Sequence, residues 1–497
     1  MSRRRFLGLF GCGLVLLGLT APALYAQQAD DIAWFVALAL AQGAVYLVAL
    51  GLTRGSTASR RSLALILGVA VAMRIAVLAA PPYLSSDVYR YVWDGRVLAA
   101  GINPYRYIPV DPHLAPLRDA VIFPQINRSN YAPTIYPPAA QAIFFAVTRI
   151  SESVLAMRVA MVLFEAIAVA LLLPLLASAG LPAVRIIVYA WHPLPVWEFA
   201  GSGHIDAAIV AFATLALWSR TQPVSSAPLP SFRGRRSRGP EPIDTDGPES
   251  APTIVRRFPN AVFMGSGLGA SRRPGMTYSA FCGWLTGLAL AFGTLVKLYP
   301  AVLFPALWRR WEWRMPAAFA VAVGLAYLPF LGVGWGVFGF LPGYLAEEGF
   351  TAGGGGFYPW SVARAVLPLG GASDIVYLAA AACLLAGLAV YVGSRGVGRD
   401  GDVFGAALLA AAFVVLLSPH YPWYFAWLIV FACLVPSAAL LWLTLASFLL
   451  YLVPVGSQLV RDHYRFLVES AIYVPTLALA ALDLWRREQL RHGDKRG

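Results

Sequence analysis

Long apolar runs alternate with short polar joints along this chain, and the lengths of those runs set its reading. Stretches of roughly 17–25 residues suffice for a helix to cross a hydrocarbon core of ~30 Å. Such stretches recur near 32–53, 62–80, 154–178, 184–200, 204–219, 315–335, 373–394, 402–418, 423–437, 438–457 and 467–485. Hydrocarbon satisfies no free backbone group, and no alternating ten-residue barrel pattern occurs, so the runs predict helices. The run from Arg3-Arg4-Arg5 to about Ala26 reads as a signal anchor, although SRRRFLG also resembles a twin-arginine export signal. Residues 278–308 are long for one span and are interrupted at Lys297-Leu298-Tyr299-Pro300, which predicts two short helices meeting at Lys297. The expectation is an all-α polytopic membrane protein with about 11–14 transmembrane helices.

Two stretches break the alternation and divide the chain. Residues 81–137 contain no spanning run and are rich in Pro, Tyr and Asn, which predicts an ordered external loop with short interfacial helices. Residues 221–276 are rich in Pro, Ser, Gly and Arg, with too little apolar periodicity for a core, and read as a disordered, basic cytoplasmic linker. The organisation expected is an N-terminal transmembrane part (1–220) carrying the external loop, the linker, and a C-terminal transmembrane part (277–497).

Composition supports the membrane reading. Of 497 residues, 59% are hydrophobic and 13% charged, and the mean hydropathy is +0.66; soluble domains carry about a quarter charged residues. The net charge of +13 does not point to nucleic acid, because the basic residues sit at the ends of apolar segments, as the positive-inside rule requires. That rule puts both termini in the cytoplasm of a cell whose plasma or inner membrane holds the chain. It sends Asp87, Asp94, His204, Asp206, Lys297, Glu347, Glu348, His420, Asp462 and His463 to the opposite, extracytoplasmic side. The four cysteines, Cys12, Cys282, Cys383 and Cys433, lie in apolar segments without metal-ligand spacing and read as buried free thiols.

Chemistry concentrates in Tyr83–Tyr107, YLSSDVYRYVWDGRVLAAGINPYRY, which gathers Asp87, Asp94, Arg90, Arg96 and Arg106 among aromatics directly after a span. Within spans, Arg74 and Glu165 stand out, since a charge at the bilayer centre costs roughly 2.5–3.5 kcal/mol. Arg158 shares a helix face with Glu165, and the three predict a buried ionic network. His204 and Asp206 open a helix beside Gly201-Ser202-Gly203, where an Asp also serves as a simple cap. Lys297, at the break, is a candidate for holding an anionic group or for snorkelling. His420 and Tyr421, in SPHYPWY, sit at the outer end of a span.

These stretches carry a resemblance. SSDVYRYVWDGRVLAAGINPY, WEFAGSGHIDA, TLVKLYPAVLFP and SPHYPWY resemble the GT-C superfamily of integral-membrane glycosyltransferases, and within it the polyprenyl-phosphate-mannose-dependent mannosyltransferases of the glycosyltransferase family 87 type. The likeness covers most of the chain outside 221–276. It implies a GT-C-like bundle that moves a sugar, mannose in the first instance, from a polyprenyl-phosphate donor to a glycolipid or glycan acceptor on the outer face, with inversion. It implies an acidic general base in the first external loop, a role that falls to Asp87 with Asp94 as second choice. Arg90, Arg96, His204, Asp206, Lys297, His420 and Tyr421 become candidates for binding donor and acceptor. No acidic pair for a nucleotide-sugar metal is evident, so no metal or other cofactor is expected. A transporter or flippase for a lipid-linked substrate is the alternative from another class; a membrane scaffold leaves the external acids unexplained.

Overall fold

The computed structural model describes residues 1–57, 59–222, 278–347, 356–367, 373–394, 399–454 and 458–493. All regular elements among the described residues are helical, and the protein is an all-α polytopic membrane protein. Among the described residues, seven helices are long and apolar enough to cross a membrane, and five further apolar helices have 10–17 residues. Two of the apolar runs are broken by the sequence itself. The run read as one span at 184–200 divides at His192-Pro193, between Ile187–Ala190 and a wide-turned Val196–Gly201, because proline neither donates an N–H nor tolerates a helical predecessor. The interruption expected at Lys297 is present: one helix ends at Val296 and a tight turn of helix begins at Tyr299. The expectations for 223–276 and Glu348 lie outside the described residues.

The first three helices are α1 (Arg3–Gln28), α2 (Ile32–Thr53) and α3 (Arg60–Leu78). Asp31 caps α2 by accepting the Trp34 N–H, and Ser59 and Ser62 cap α3 reciprocally. The loop region contains α4 (Asp87–Ala99), and α5 (Pro138–Ile150) and α6 (Val154–Ser178), the latter capped by Ser153, follow it. Gly95 lets α4 and α5 touch, since a Cβ there would lie 2.5 Å from the Phe144 carbonyl oxygen.

The polar groups inside the bundle fasten it. Arg74 on α3 meets Glu165 on α6 through two parallel bonds, Nε–Oε2 at 3.1 Å and Nη2–Oε1 at 2.7 Å, and its Nη1 donates to the carbonyls of Ala70 and Ala190. Arg158 does not join this pair, contrary to the sequence reading. Its guanidinium donates instead to the carbonyls of Val77, Leu78 and Ala80 at the end of α3 and to that of Ala200. A helix end leaves carbonyls short of donors; Arg158 supplies those of Leu78 and Ala80 and adds a second donor to Val77, which already accepts the Ala80 N–H at 3.1 Å. The cysteines also depart from expectation: all four are free thiols, but only Cys433 is buried, and Cys383 is exposed.

Contacts sort the joints to two ends of the bundle. At one end Arg5 donates to the Arg54 carbonyl, and Arg220 bonds the Leu307 carbonyl and pairs with Asp402 at 3.0 Å. At the other, Tyr83 bonds Asp30, and the stretch from Leu84 to Tyr136 meets Lys297 and Tyr421–Tyr424.

Candidate functional site

At that second end the N-terminus of α4 presents Asp87 to a polar cavity of about 270 Å³, lined by Arg90, Asn127, Arg128, Tyr136, Lys297 and Tyr421 among others. Asp87 occupies the first turn of α4, where a carboxylate complements the helix dipole. Its Oδ1 accepts from the Asn127 amide at 2.7 Å and its Oδ2 from the Tyr136 hydroxyl at 3.3 Å. The side chain is 20% exposed, open enough to meet a ligand and held enough to be aimed.

Helix geometry decides what the rest of α4 does. At about 100° per residue, positions 87, 90 and 94 share a face and 96 lies on the opposite one. Arg90 lines the cavity, and its Nε bonds the buried Asp94 at 2.8 Å. Asp94 also accepts from Thr134 and Gln141, so it anchors the loop from below the cavity. Arg96 is turned away and does not reach the site. It pairs with Asp119 at 2.5 Å and Glu152 at 2.9 Å, pinning the far side of the loop. There Asp119 is held below its ordinary pKa: its burial, which acts to raise it, is outweighed by the backbone N–H groups of Ile122 and Val121 and by Arg96.

Four candidates from other segments do converge: His204, Asp206, Lys297 and Tyr421. His204 and Asp206 follow Gly203, whose φ of +78° suits glycine and whose missing Cβ would meet Arg158 at 2.9 Å and Val88 at 3.0 Å. That close approach brings His204 Nδ1 to 4.0 Å from Asp87 Oδ2. Asp206 is fully buried and receives Lys297 Nζ at 2.6 Å and the Tyr299 hydroxyl at 2.8 Å. Lys297 also lies over the Tyr424 ring, 4.7 Å from its centre. Tyr421 stacks on Trp423, and Trp423 stacks on His204 with ring centres 3.9 Å apart. His420 points elsewhere, into a second, mostly apolar cavity of about 580 Å³. The two cavities share Ile135, Tyr136, Lys297, Tyr344 and Tyr424 in their walls.

Several contributors escaped the sequence reading. Glu198, fully buried, stands 3.5 Å from His204 Nε2; a charge inside a run otherwise read as a span was its signal. Asn127 gave none, lying in a loop forty positions from its partner. Arg128 and Tyr131 bind Glu347 and so hold helix Leu341–Glu347 against the loop. Burial acts to lower the pKa of Arg128, but the bond and charge of Glu347 outweigh it and raise the value. Among the described residues no three His, Cys, Asp or Glu side chains group as metal ligands.

The pattern is one carboxylate at the mouth of a polar cavity, a cation in the wall shared with an apolar cavity, and flat aromatic surfaces beside both. Residues 6–232 match the model of a family described as alpha-(1->6)-mannopyranosyltransferase, N-terminal domain. No curated protein and no solved structure gives a match. The chain is thus an all-α, multi-spanning membrane protein whose residues 6–232 carry an N-terminal domain of the α-(1→6)-mannopyranosyltransferase type.

Proposed function

We propose that this protein transfers a sugar, mannose in the first instance, from a polyprenyl-phosphate donor to a glycolipid or glycan hydroxyl at the extracytoplasmic face. Asp87 takes the proton of the acceptor hydroxyl, because a sugar hydroxyl is a weak nucleophile until a positioned carboxylate withdraws it. The freed oxygen attacks the anomeric carbon from the face opposite the leaving group, and polyprenyl phosphate departs with inversion. Lys297, with Arg90 and Arg128 in the same cavity wall, offsets the charge that builds on the phosphate. Tyr421 and Trp423 supply flat surfaces for sugar rings. Asp94 acts indirectly, by holding Arg90 and the loop.

One observation carries this reading: Lys297 lines both cavities. A lipid phosphate needs an ammonium at a boundary between polar space for its sugar and apolar space for its chain, and both are present on either side of that residue. The excess of basic residues at the opposite end of the bundle supports an outward-facing site.

The test is Asp87→Asn in full-length protein, assayed with polyprenyl-phosphate mannose as donor and a synthetic alkyl mannoside as acceptor. General-base removal costs about 10²–10⁴-fold, so kcat should fall by that order while the protein still folds and binds donor. A D87N rate equal to wild type would remove Asp87 from the chemistry.

A further inference from the structure

His204 and Glu198 lie beneath Asp87 in a row that the proposed chemistry leaves unused. Both are fully buried. His204 Nδ1, His204 Nε2 and Glu198 Oε2 have no hydrogen-bond partner within normal distance among the described residues, although buried polar atoms are paired in the great majority of cases. Yet each points at another: Nδ1 is 4.0 Å from Asp87 Oδ2, and Nε2 is 3.5 Å from Glu198 Oε2. The far end of the row is finished, since the Tyr451 hydroxyl donates to Glu198 Oε1 at 2.8 Å. The imidazole plane is fixed by its stack on Trp423, and its backbone by Gly203 against α4. The row therefore closes when the first gap shortens by about 1 Å and the second by about half of that, the kind of tightening that catalytic hydrogen bonds undergo when substrate binds.

Proton counting calls for one proton more than a neutral imidazole between two ionised carboxylates, and full burial favours a neutral Glu198–His204 pair over an imidazolium facing a carboxylate. A neutral imidazole owns one N–H and one lone pair. Between two ionised carboxylates it would satisfy one and repel the other, with a second unpaired charge buried at the far end. We propose that Glu198 carries a proton and donates it to His204 Nε2, so that Nδ1–H donates to Asp87. Glu198 and His204 are then positioning residues. They hold the Asp87 carboxylate ionised and oriented, and Asp87 retains the lone pairs that receive the acceptor proton. No proton is consumed along the row. The other charged and titratable groups acting on it are Lys297 and Asp206, which are paired with each other, and the phenols of Tyr91, Tyr136 and Tyr451.

This inference rests on Asp87 as base, and its test separates the two. The first arm needs no turnover: infrared difference spectra of full-length wild-type protein minus Glu198→Gln, in detergent at neutral pH. A protonated-carboxyl C=O band present only in wild type supports the row; its absence means Glu198 is ionised and overturns it. Should E198Q not yield folded protein, wild type minus His204→Leu replaces it. The band should move to higher frequency as the bond to Nε2 is lost, and an unmoved band overturns the row. The second arm is kinetic, with the donor and acceptor probes named above. Glu198→Ala should lower kcat about tenfold or more with the donor KM within about twofold. E198Q, whose amide can donate to Nε2, should recover most of that loss. Equal impairment of both variants, or impairment of neither, overturns the proposal. If D87N keeps its rate, the base assignment fails, while the infrared arm still decides the state of Glu198.

Discussion

Two buried ion pairs in this protein join elements far apart in sequence, and they differ in what they leave over. Arg74 and Glu165 match fork to fork, and carbonyls and the Tyr189 hydroxyl take up the remaining capacity. Lys297 and Asp206 meet through one ammonium bond, and Lys297, 13% exposed, lies over the Tyr424 ring and lines the cavity. A guanidinium with all three nitrogens bonded is a fastener; a point charge with donors to spare can hold an anion. The difference teaches that burial and pairing alone do not mark a functional charge. What sets Lys297 apart is hydrogen-bonding capacity left over beside a cavity.

The sharpest way to break that contrast is to remove one member of each pair. Arg74→Met strands Glu165 in the bundle and should cost about 3–5 kcal/mol. Thermal unfolding in detergent reads it, with most of the loss recovered in R74M/E165L. An unchanged midpoint would deny the pair its fastening role. Lys297→Met should instead act on the ligand: loss of a charge-assisted bond worth about 1.5–3 kcal/mol raises the donor KM by roughly 10–150-fold. The double variant K297M/D206N relieves the stranded carboxylate, so it should regain stability but not donor affinity. If it regains both, Lys297 is structural.

Smaller effects sharpen the outline of the site. The Arg128–Glu347 pair is part-exposed, at 27% and 32%, and such pairs contribute about 0.2–1 kcal/mol. Glu347→Gln should change the donor KM by less than about fivefold, and the difference should shrink with added salt. The smallest concerns Asp119. Because its folded pKa is depressed, its contribution is present above the ordinary carboxylate value of about 4 and is lost as pH falls through the folded value. Limited proteolysis of the 81–137 loop should therefore quicken on acidification from about pH 6 to about pH 3, and Arg96→Met should show the quickened rate at both.

Much of this was legible in the letters, and the reasons it stopped are physical. Apolar run lengths gave the helical membrane class, because a bilayer imposes length and composition directly. Arg74 and Glu165 were visible as a pair because each is intolerable alone. Arg158 was misassigned because its real partners are backbone carbonyls, which no side-chain letter displays. Arg96 was grouped with Asp87 by proximity in sequence, although nine residues on a helix amount to a half-turn of net rotation. Glu198 was visible as a charge inside a run read as a span, but no letter in PVWEFAG shows that its carboxylate stands 3.5 Å from His204.

The shared wall of the two cavities also bears on descent. Asp87, His204 and Asp206 precede the end of the family match, whereas Lys297, Tyr421 and Trp423 follow it. Each half contributes surfaces that have meaning only against the other. A recombinant that joins residues 1–222 to the later segment of a distant homologue would inherit an Asp206 and a Lys297 selected against different neighbours. Exchanging one half alone therefore changes the partner of every contact across that wall, Asp206 with Lys297 among them.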